Sequence, residues 1–462
     1  HGMQKYDKSF GIHSIDSWVL YQAEQMKIRG TNGIFRYSNL VGNIHYGLAG
    51  KYFIDATLSY AGTNRIQEKE DRFDLYPAIA AAWLISGEDF LNNSGIIDYL
   101  KLKASYGKVG NGRIEMDDRT NPRYNEASGY VFGDEFKYLG GYDEAYIPID
   151  RKMYEASYES NIEVESRFFD RLSFNGAVFR VRRENIFVPA IGEYSEIIGL
   201  STQLIPVGVV ENQGYELELK WEEQYRNFSY FFSGMLSQYQ NKVIEINEEF
   251  RPYEYLKREG QSINQFFGLE SDGFYNQADI EAIDEGNLPE PLFGSVKPGD
   301  IRYVDQNNDG YIDQYDQIPI GYSSTPQLYY SATLGIGYQG FQVTALIQGT
   351  QRSTTFLSQP HVFWPLRGND NISSWYDNYW TDENQADAEL PRLTTVASEN
   401  NYRTNDIWLR DNSYLKLRYA EISYVIPQRL AARFRTQQVK VYLRGTNLIS
   451  LDDIKYVDPE NT

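Results

Sequence analysis

The stretch Tyr330 to Gly349 reads YSATLGIGY, then QG, then FQVTALIQG, and it narrows the fold more than any other part of the chain. Tyr330, Ala332, Leu334, Ile336 and Tyr338 fall on one face of an extended strand; Ser331, Thr333, Gly335 and Gly337 fall on the other. After Gln339-Gly340 the alternation resumes, with Phe341, Val343, Ala345 and Ile347 against Gln342, Thr344, Leu346 and Gln348. A period of two specifies strand, and a two-residue link ending in glycine specifies a tight hairpin. Each strand is about nine residues long with an aromatic residue at the turn, as in a transmembrane β-hairpin that is apolar toward lipid and polar toward a lumen. One such hairpin also suits half of a soluble sandwich. Recurrence decides between them.

The pattern does recur. Ile44, Tyr46 and Leu48 oppose Asn43, His45 and Gly47, and Tyr52, Ile54, Ala56, Leu58 and Tyr60 oppose Phe53, Asp55, Thr57 and Ser59. Strands follow at Leu75 to Ser86, Leu100 to Gly107, Tyr154 to Ser166, Leu172 to Phe187, Tyr215 to Glu222 and Phe228 to Leu236. Beyond the hairpin come Tyr414 to Val425, whose phase slips as if a bulge lay near Ala420-Glu421, and Val439 to Leu448. Before Asn39 only Trp18 to Gln25 reads as strand. Roughly twelve strands result.

Short and long connections alternate along the chain. The long ones run at about residues 61–74, 110–152, 189–213, 247–327 and 350–412. An outer-membrane barrel has short periplasmic turns and long extracellular loops, whereas a sandwich has no reason to sort its loops by length. Lys101, Lys103, Glu216, Glu218 and Lys220 all sit on polar strand faces, where a wet lumen receives them. The expected fold is therefore all-β: a transmembrane antiparallel β-barrel, of which this chain supplies a part, with long extracellular loops.

Composition bounds the function. Mean hydropathy is -0.55 and no run approaches the roughly eighteen apolar residues of a spanning helix, a test that barrel strands evade. Tyr (39) and Phe (24) are abundant enough to furnish interfacial girdles. Cysteine is absent, which removes disulfides, thiolate metal sites and Cys nucleophiles, and a net charge of -20 argues against nucleic acid as partner. His1, His13, His45 and His361 are isolated, and no HExxH, GxSxG or Walker motif occurs, so no enzymatic activity is expected.

Six stretches resemble, in order, the SusC-like branch of TonB-dependent outer-membrane transporters. LKLKASYGKVGN (Leu100 to Asn111) is similar to that family's LKLRxSYGxxGN, preceded by YPAIAAAWLISGEDF (Tyr76 to Phe90). NQGYEL (Asn212 to Leu217), the loop with Trp380 to Asn384 and Pro391-Arg392, DNSYLKLRYAEISYVIP (Asp411 to Pro427), and Val441 to Leu448 followed by Asp458-Pro459-Glu460 complete the series. The resemblance implies a nutrient importer of the Gram-negative outer membrane, energised through TonB and working with a SusD-like surface lipoprotein on oligosaccharide or peptide cargo. It covers the C-terminal part of the barrel across residues 1–462. The plug, the TonB box and a closing strand have no counterpart, and Ala61-Gly62-Thr63-Asn64-Arg65 replaces the family's RxDGS. Plugged barrels have about 22 strands, so further polypeptide is expected to cover the sheet edges within the lipid bilayer. The alternative reading is a soluble or surface β-rich carbohydrate-binding protein or adhesin, which would not need detergent for extraction.

Two local clusters stand out. Asp305 to Asp316 reads DQNNDGYIDQYD, which sets Asp305, Asn307, Asp309, Asp313 and Asp316 at the oxygen-ligand positions of a Ca²⁺ loop, with the Tyr311 carbonyl between them and Gly310 at the sharp turn. Asp316 stands where a longer Glu is usual, and the same residues also suit a solvated turn. The run His361 to Trp380 holds Trp364, Trp375, Tyr376, Tyr379 and Trp380. On an extracellular loop these rings serve either as contacts to substrate or partner, or as the packed core of the loop, and packing is the simpler account.

Overall fold

The structure is a computed structural model and describes residues 2–27, 34–64, 66, 69, 71–91, 94–111, 124–132, 137–147, 154–191, 197, 204–357, 364–366, 372, 374–396, 398–454 and 458–460. His1, Arg65 and His361, named above, lie outside them. One 14-stranded sheet runs through the chain, its strands neighbouring one another in sequence order. They are β1 (Gly2–Phe10), β2 (His13–Lys27), β3 (Ile34–Leu48), β4 (Tyr52–Thr63), β5 (Phe73–Leu84), β6 (Ile97–Asn111) and β7 (Glu155–Phe168). There follow β8 (Leu172–Pro189), β9 (Leu204–Tyr225), β10 (Phe228–Glu245), β11 (Leu328–Tyr338), β12 (Phe341–Gln351), β13 (Tyr414–Val425) and β14 (Lys440–Asp452).

The surplus over the alternation count lies at the start of the chain. β1 reads GMQKYDKSF, with Lys5 and Asp7 on one face and Gln4 and Lys8 on the other, so neither face is apolar throughout. Its ladder to β2, from Gly2 opposite Tyr21 to Phe10 opposite His13, makes it a strand nonetheless. β9 is likewise longer than its periodic core at Tyr215 to Glu222. It begins at Leu204, where the side chains no longer alternate cleanly. Contacts divide the chain into two compact units, His1–Leu219 with Gln240–Phe250, and Lys220–Tyr239 with Arg251–Thr462.

In the first unit the ladders stack side chains into rows. Ile44, Ala56, Ile79 and Tyr106 face one another across β3 to β6, and Asn43, Thr57, Ala78 and Gly107 form the adjacent row on the other face. The first face exposes apolar groups: Ile44 is 55% exposed and Ile79 56%. The second carries polar contacts, Asn43 Nδ2 to Thr57 Oγ1 at 2.8 Å, His45 to Asp55 at 2.8 Å, and Lys103 to Glu163 at 3.3 Å and to Glu165. A sheet whose exposed face is apolar and whose other face is wired by charges is built for lipid outside and water inside. Aromatic pairs bracket the apolar rows, Tyr52–Trp83 at the short-turn end and Tyr60–Phe73 at the other. Tyr52 and Tyr60 lie eight steps apart, about 26 Å along the strand and about 20 Å along the membrane normal once tilted, near the height of a hydrophobic band.

The second unit contains the hairpin. Gln339 (φ 48°) and Gly340 (φ 89°) both take positive φ, the two-residue turn that suits twisted strands. Tyr338 pairs with Phe341 and Leu334 with Ala345, while on β10 Phe232 faces Leu334. The face that alternation assigns to lipid is the exposed apolar face here too, with Leu334, Ile336, Phe341 and Val343 all open. On the opposite face Gly335 lies beneath the Phe231 ring, where a Cβ would collide, so glycine permits the close approach.

The bulge in β13 is at Arg418, not at Ala420-Glu421. Tyr419 pairs with Leu346 and Leu417 with Ile347, leaving Arg418 as the extra residue. Tyr419 thereby turns to the polar face, beneath the Arg444 guanidinium, and Arg418 reaches Gln348, Asn447 and Glu460 instead of lipid. The upstream slip puts Tyr419 on the same polar face as Glu421, where Arg444 meets both the Tyr419 ring and the Glu421 carboxylate.

Facing can be tested directly. Leu334→Lys should destabilise the folded protein by about 2–4 kcal/mol near the midplane, while Thr333→Lys, pointing to the polar face, should be tolerated. Folding titrations into vesicles read both, and equal costs would contradict the assigned faces.

Candidate functional site

The long connections of the second unit, after β10 and after β12, are not plain loops. Short strands cross-brace them: Phe266–Gly268 with Ile318–Ile320, Ser271–Phe274 with Ile301–Tyr303, and Thr354–Phe356 with Leu409–Asp411. An eight-residue helix, α1 (Gln277–Asp284), starts at a capping box in which the Asn276 and Asp279 side chains each bond the other's backbone N–H. Two apolar clusters fill the interior, one around Leu357, Trp364, Tyr376, Leu390 and Trp408, the other around Leu269, Ile301, Tyr303 and Ile312.

A buried polar seam ties the two connections together. Asp300, 1% exposed, accepts hydrogen bonds from Arg392 Nε at 2.7 Å, from Asn401 Nδ2 at 2.8 Å and from the Lys297 amide at 2.8 Å. Asn401 also accepts from the Ile301 amide at 2.9 Å, and Trp408 Nε1 donates to the Asn401 carbonyl at 2.6 Å. The Tyr303 hydroxyl donates to the Asn400 carbonyl at 2.6 Å and accepts from Asn405 Nδ2 at 2.9 Å. Burial drives the Tyr303 phenol well above its ordinary range and pushes Tyr275 up to about 12. Burial also raises the Asp406 carboxyl, which accepts from the Ser271 amide at 3.0 Å. None of these residues sits in a periodic pattern. The only sequence signal for them is the density of Asn and Asp flanking Ile301 and Trp408.

The aromatic candidates are in this interior. Trp364, Tyr376 and Trp380 are buried, with Trp375 and Tyr379 half-buried against the same cluster. Tyr376 donates its hydroxyl to the Pro391 carbonyl at 2.8 Å, Trp364 lies 4.9 Å from Tyr402, and the Trp380 ring covers Gly299. The rings of Trp364, Tyr376 and Trp380 are packed within the loop body, Trp364 on Tyr402 and Trp408, Tyr376 on Trp375 and Tyr379, and Trp380 on Gly299.

Asp305, Asn307, Asp309, Tyr311, Asp313 and Asp316 do share one turn, with Asn308 (φ 58°) and Gly310 (φ 86°) bending it. Their carboxylates are aimed at the turn's own amides. Asp305 accepts from Asn308 N (2.7 Å) and Gly310 N (2.9 Å), and buried Asp316 accepts from Asp313 N (2.7 Å) and Gln306 N (2.8 Å). Burial raises the Asp316 carboxyl, and the charges of Asp305 and Asp313 push the same way. Among the described residues no group of three or more His, Cys, Asp or Glu is disposed to hold a metal ion.

No family model matches the chain. It is 26% identical over 444 residues to TonB-dependent receptor P26 of Formosa agariphila, covering 93% of this chain and 43% of that protein. A segment of 143 residues, 29% of this chain and 14% of the other, is 28% identical to TonB-dependent receptor SusC of Bacteroides thetaiotaomicron. Among solved structures, the RagAB peptide transporter superposes over 100% of this chain and 52% of its own, with TM-score 0.77 at 17% identity. The last of these establishes the fold alone, the wall of an antiparallel β-barrel. The chain spans less than half the length of the first relative.

Asp300→Ala removes three acceptor contacts at once and leaves Arg392 half-buried without its partner. The loss should be about 3–5 kcal/mol, confined to the loop body. Limited proteolysis should cut within residues 351–413 of the variant while the strands stay protected, and an unchanged digestion pattern would contradict the seam's role.

Proposed function

We propose that this chain, a relative of the SusC-like TonB-dependent receptors, forms much of the barrel wall and the outer loops of a nutrient importer in the Gram-negative outer membrane. The observation that carries the reading is the pairing of an exposed apolar face with a charged face along continuous ladders. A wall of that kind separates lipid from a wet passage. The ion-paired rows of Lys103 with Glu163 and Glu165 in the first unit, and of Glu421 with Lys440 and Arg444 in the second, give each polar face fixed charges suited to contact with water and polar cargo. On this reading the cargo is an oligosaccharide or a peptide, import draws on energy delivered through TonB, and the braced loop body is the surface that meets a SusD-like lipoprotein. The rigidity of that body favours a partner-binding role, since a surface held in one conformation loses little entropy on docking.

Calcium at the Asp305–Asp316 turn is a separate proposal supported by the spacing of its oxygen-bearing side chains. An ion would have to draw some carboxylates away from the amides they now accept from. Calorimetric titration should give a Kd on the order of 10⁻⁴–10⁻³ M that Asp305→Asn abolishes. A wild-type protein releasing no heat in millimolar calcium would end this reading.

Transport is tested in cells that produce the protein. Uptake of fluorescent oligopeptides and oligosaccharides should depend on the gene and collapse when the inner-membrane proton gradient is discharged. Uptake that survives the uncoupler, or a protein recovered without detergent, would overturn the importer.

A further inference from the structure

At the short-turn end of the second unit, β13 and β14 are joined by residues 426–439 and not by a tight turn. A single helical turn, α2 (Gln428–Ala431), continues into a 3₁₀ turn at Ala432–Phe434, and Arg435 closes it with φ 55°. The segment is pinned to the sheet. Ala431 is wholly buried, the Leu430 and Ala431 amides both donate to the Pro427 carbonyl, and the Ile426 amide bonds the Val439 carbonyl.

Arg429, Arg433 and Arg435 all lie exposed on this pinned turn. Among the described residues none of the three guanidiniums makes an ion pair or a hydrogen bond, and no acidic residue lies between Glu421 and Asp452 in sequence. The cations of the flanking strands are different: Lys440 and Arg444 are matched by Glu421, and Lys416 and Arg418 by Asp458 and Glu460. Against a net charge of -20, three unmatched cations within residues 429–435 reverse the local sign.

Their height in the membrane says what they meet. β13 ends at Val425, one residue beyond Tyr424, whose ring lies 4.3 Å from Phe341 in the aromatic belt. The helical turn therefore begins where hydrocarbon gives way to headgroups. Exposed Leu430 sits beside the arginines, and exposed Val441 and Leu443 continue the apolar face of β14 below them.

We propose that this turn is a binding site for anionic phospholipid headgroups in the periplasm-facing leaflet, with the phosphate held by Arg429, Arg433 and Arg435 and the acyl chains lying along Val441 and Leu443. Arg429 and Arg433 are four residues apart across the junction of α2 with the 3₁₀ turn, so their positive charges lie close enough to act on one phosphodiester. The proposal rests on the membrane reading of the sheet, because only that reading puts the short turns at the inner leaflet.

The test is native mass spectrometry of the detergent-purified protein offered phosphatidylglycerol or phosphatidylcholine of identical acyl chains. Wild type should retain phosphatidylglycerol at least about tenfold better. The triple variant R429Q/R433Q/R435Q should lose that preference, and R429K/R433K/R435K should keep most of it. Heat-modifiable gel migration, followed in parallel, reports whether each variant is a folded barrel. A folded wild type that retains both lipids equally, or a folded glutamine variant that still prefers phosphatidylglycerol, overturns the lipid site and leaves the barrel intact. Loss of preference in the lysine variant as well as the glutamine variant would also overturn it, since the charge would then not be what binds.

Discussion

A backbone amide in hydrocarbon has no water to bond, and leaving it unpaired costs several kcal/mol. The rest of this structure follows from that constraint. Strands that must pair along their whole length hold their register, and a held register fixes which side chains share a face. Leu334 faces Ala345 and Phe232 on one side, and Thr333 faces Leu346 and Ser233 on the other. A slip of one residue would send Lys101, Lys103 and Glu165 into lipid. The ion pairs across the polar face are thus a consequence of the ladders, and they add little beyond keeping buried charge matched.

Once the chain leaves the bilayer the rule changes. The connections of the second unit bury Trp408, Tyr376 and Ile301 among themselves and seal the junction with Asp300, Arg392 and Asn401. This is the ordinary physics of a soluble core, and it explains why the tryptophans that look like a binding surface are covered. At the opposite end the arginines of residues 429–435 stand unmatched, because there the neighbouring phase is a layer of headgroups and not a protein interior.

The alternation made the wall legible in the sequence, and with it the hairpin at Gln339-Gly340 and the lipid-facing set Leu334, Ile336 and Val343. Legibility failed where alternation had no chemical reason to persist. β1 mixes polar groups on both faces, and β9 runs on past its alternating stretch to Leu204. The bulge was visible only as a phase slip; its observed position brings Tyr419 beneath Arg444 of the neighbouring strand, a contact that no local spacing records. The Asp300 seam was hidden for the same reason. Its partners are joined by three-dimensional packing, and no local spacing records that. The Asp305–Asp316 spacing was plainly readable, yet the turn's own amides account for much of what its carboxylates do.

The central claim is that successive residues of β11 face lipid and water in turn. The chain has no cysteine, so single cysteines placed at Ala332, Thr333, Leu334, Ile336 and Gly337 can each carry a nitroxide without background. Collision rates with oxygen, which partitions into hydrocarbon, and with a water-soluble nickel chelate should then be measured in membranes. Oxygen access should be high at Ala332→Cys, Leu334→Cys and Ile336→Cys, and chelate access high at Thr333→Cys and Gly337→Cys. Accessibility to both reagents that does not change from one residue to the next would contradict a membrane wall.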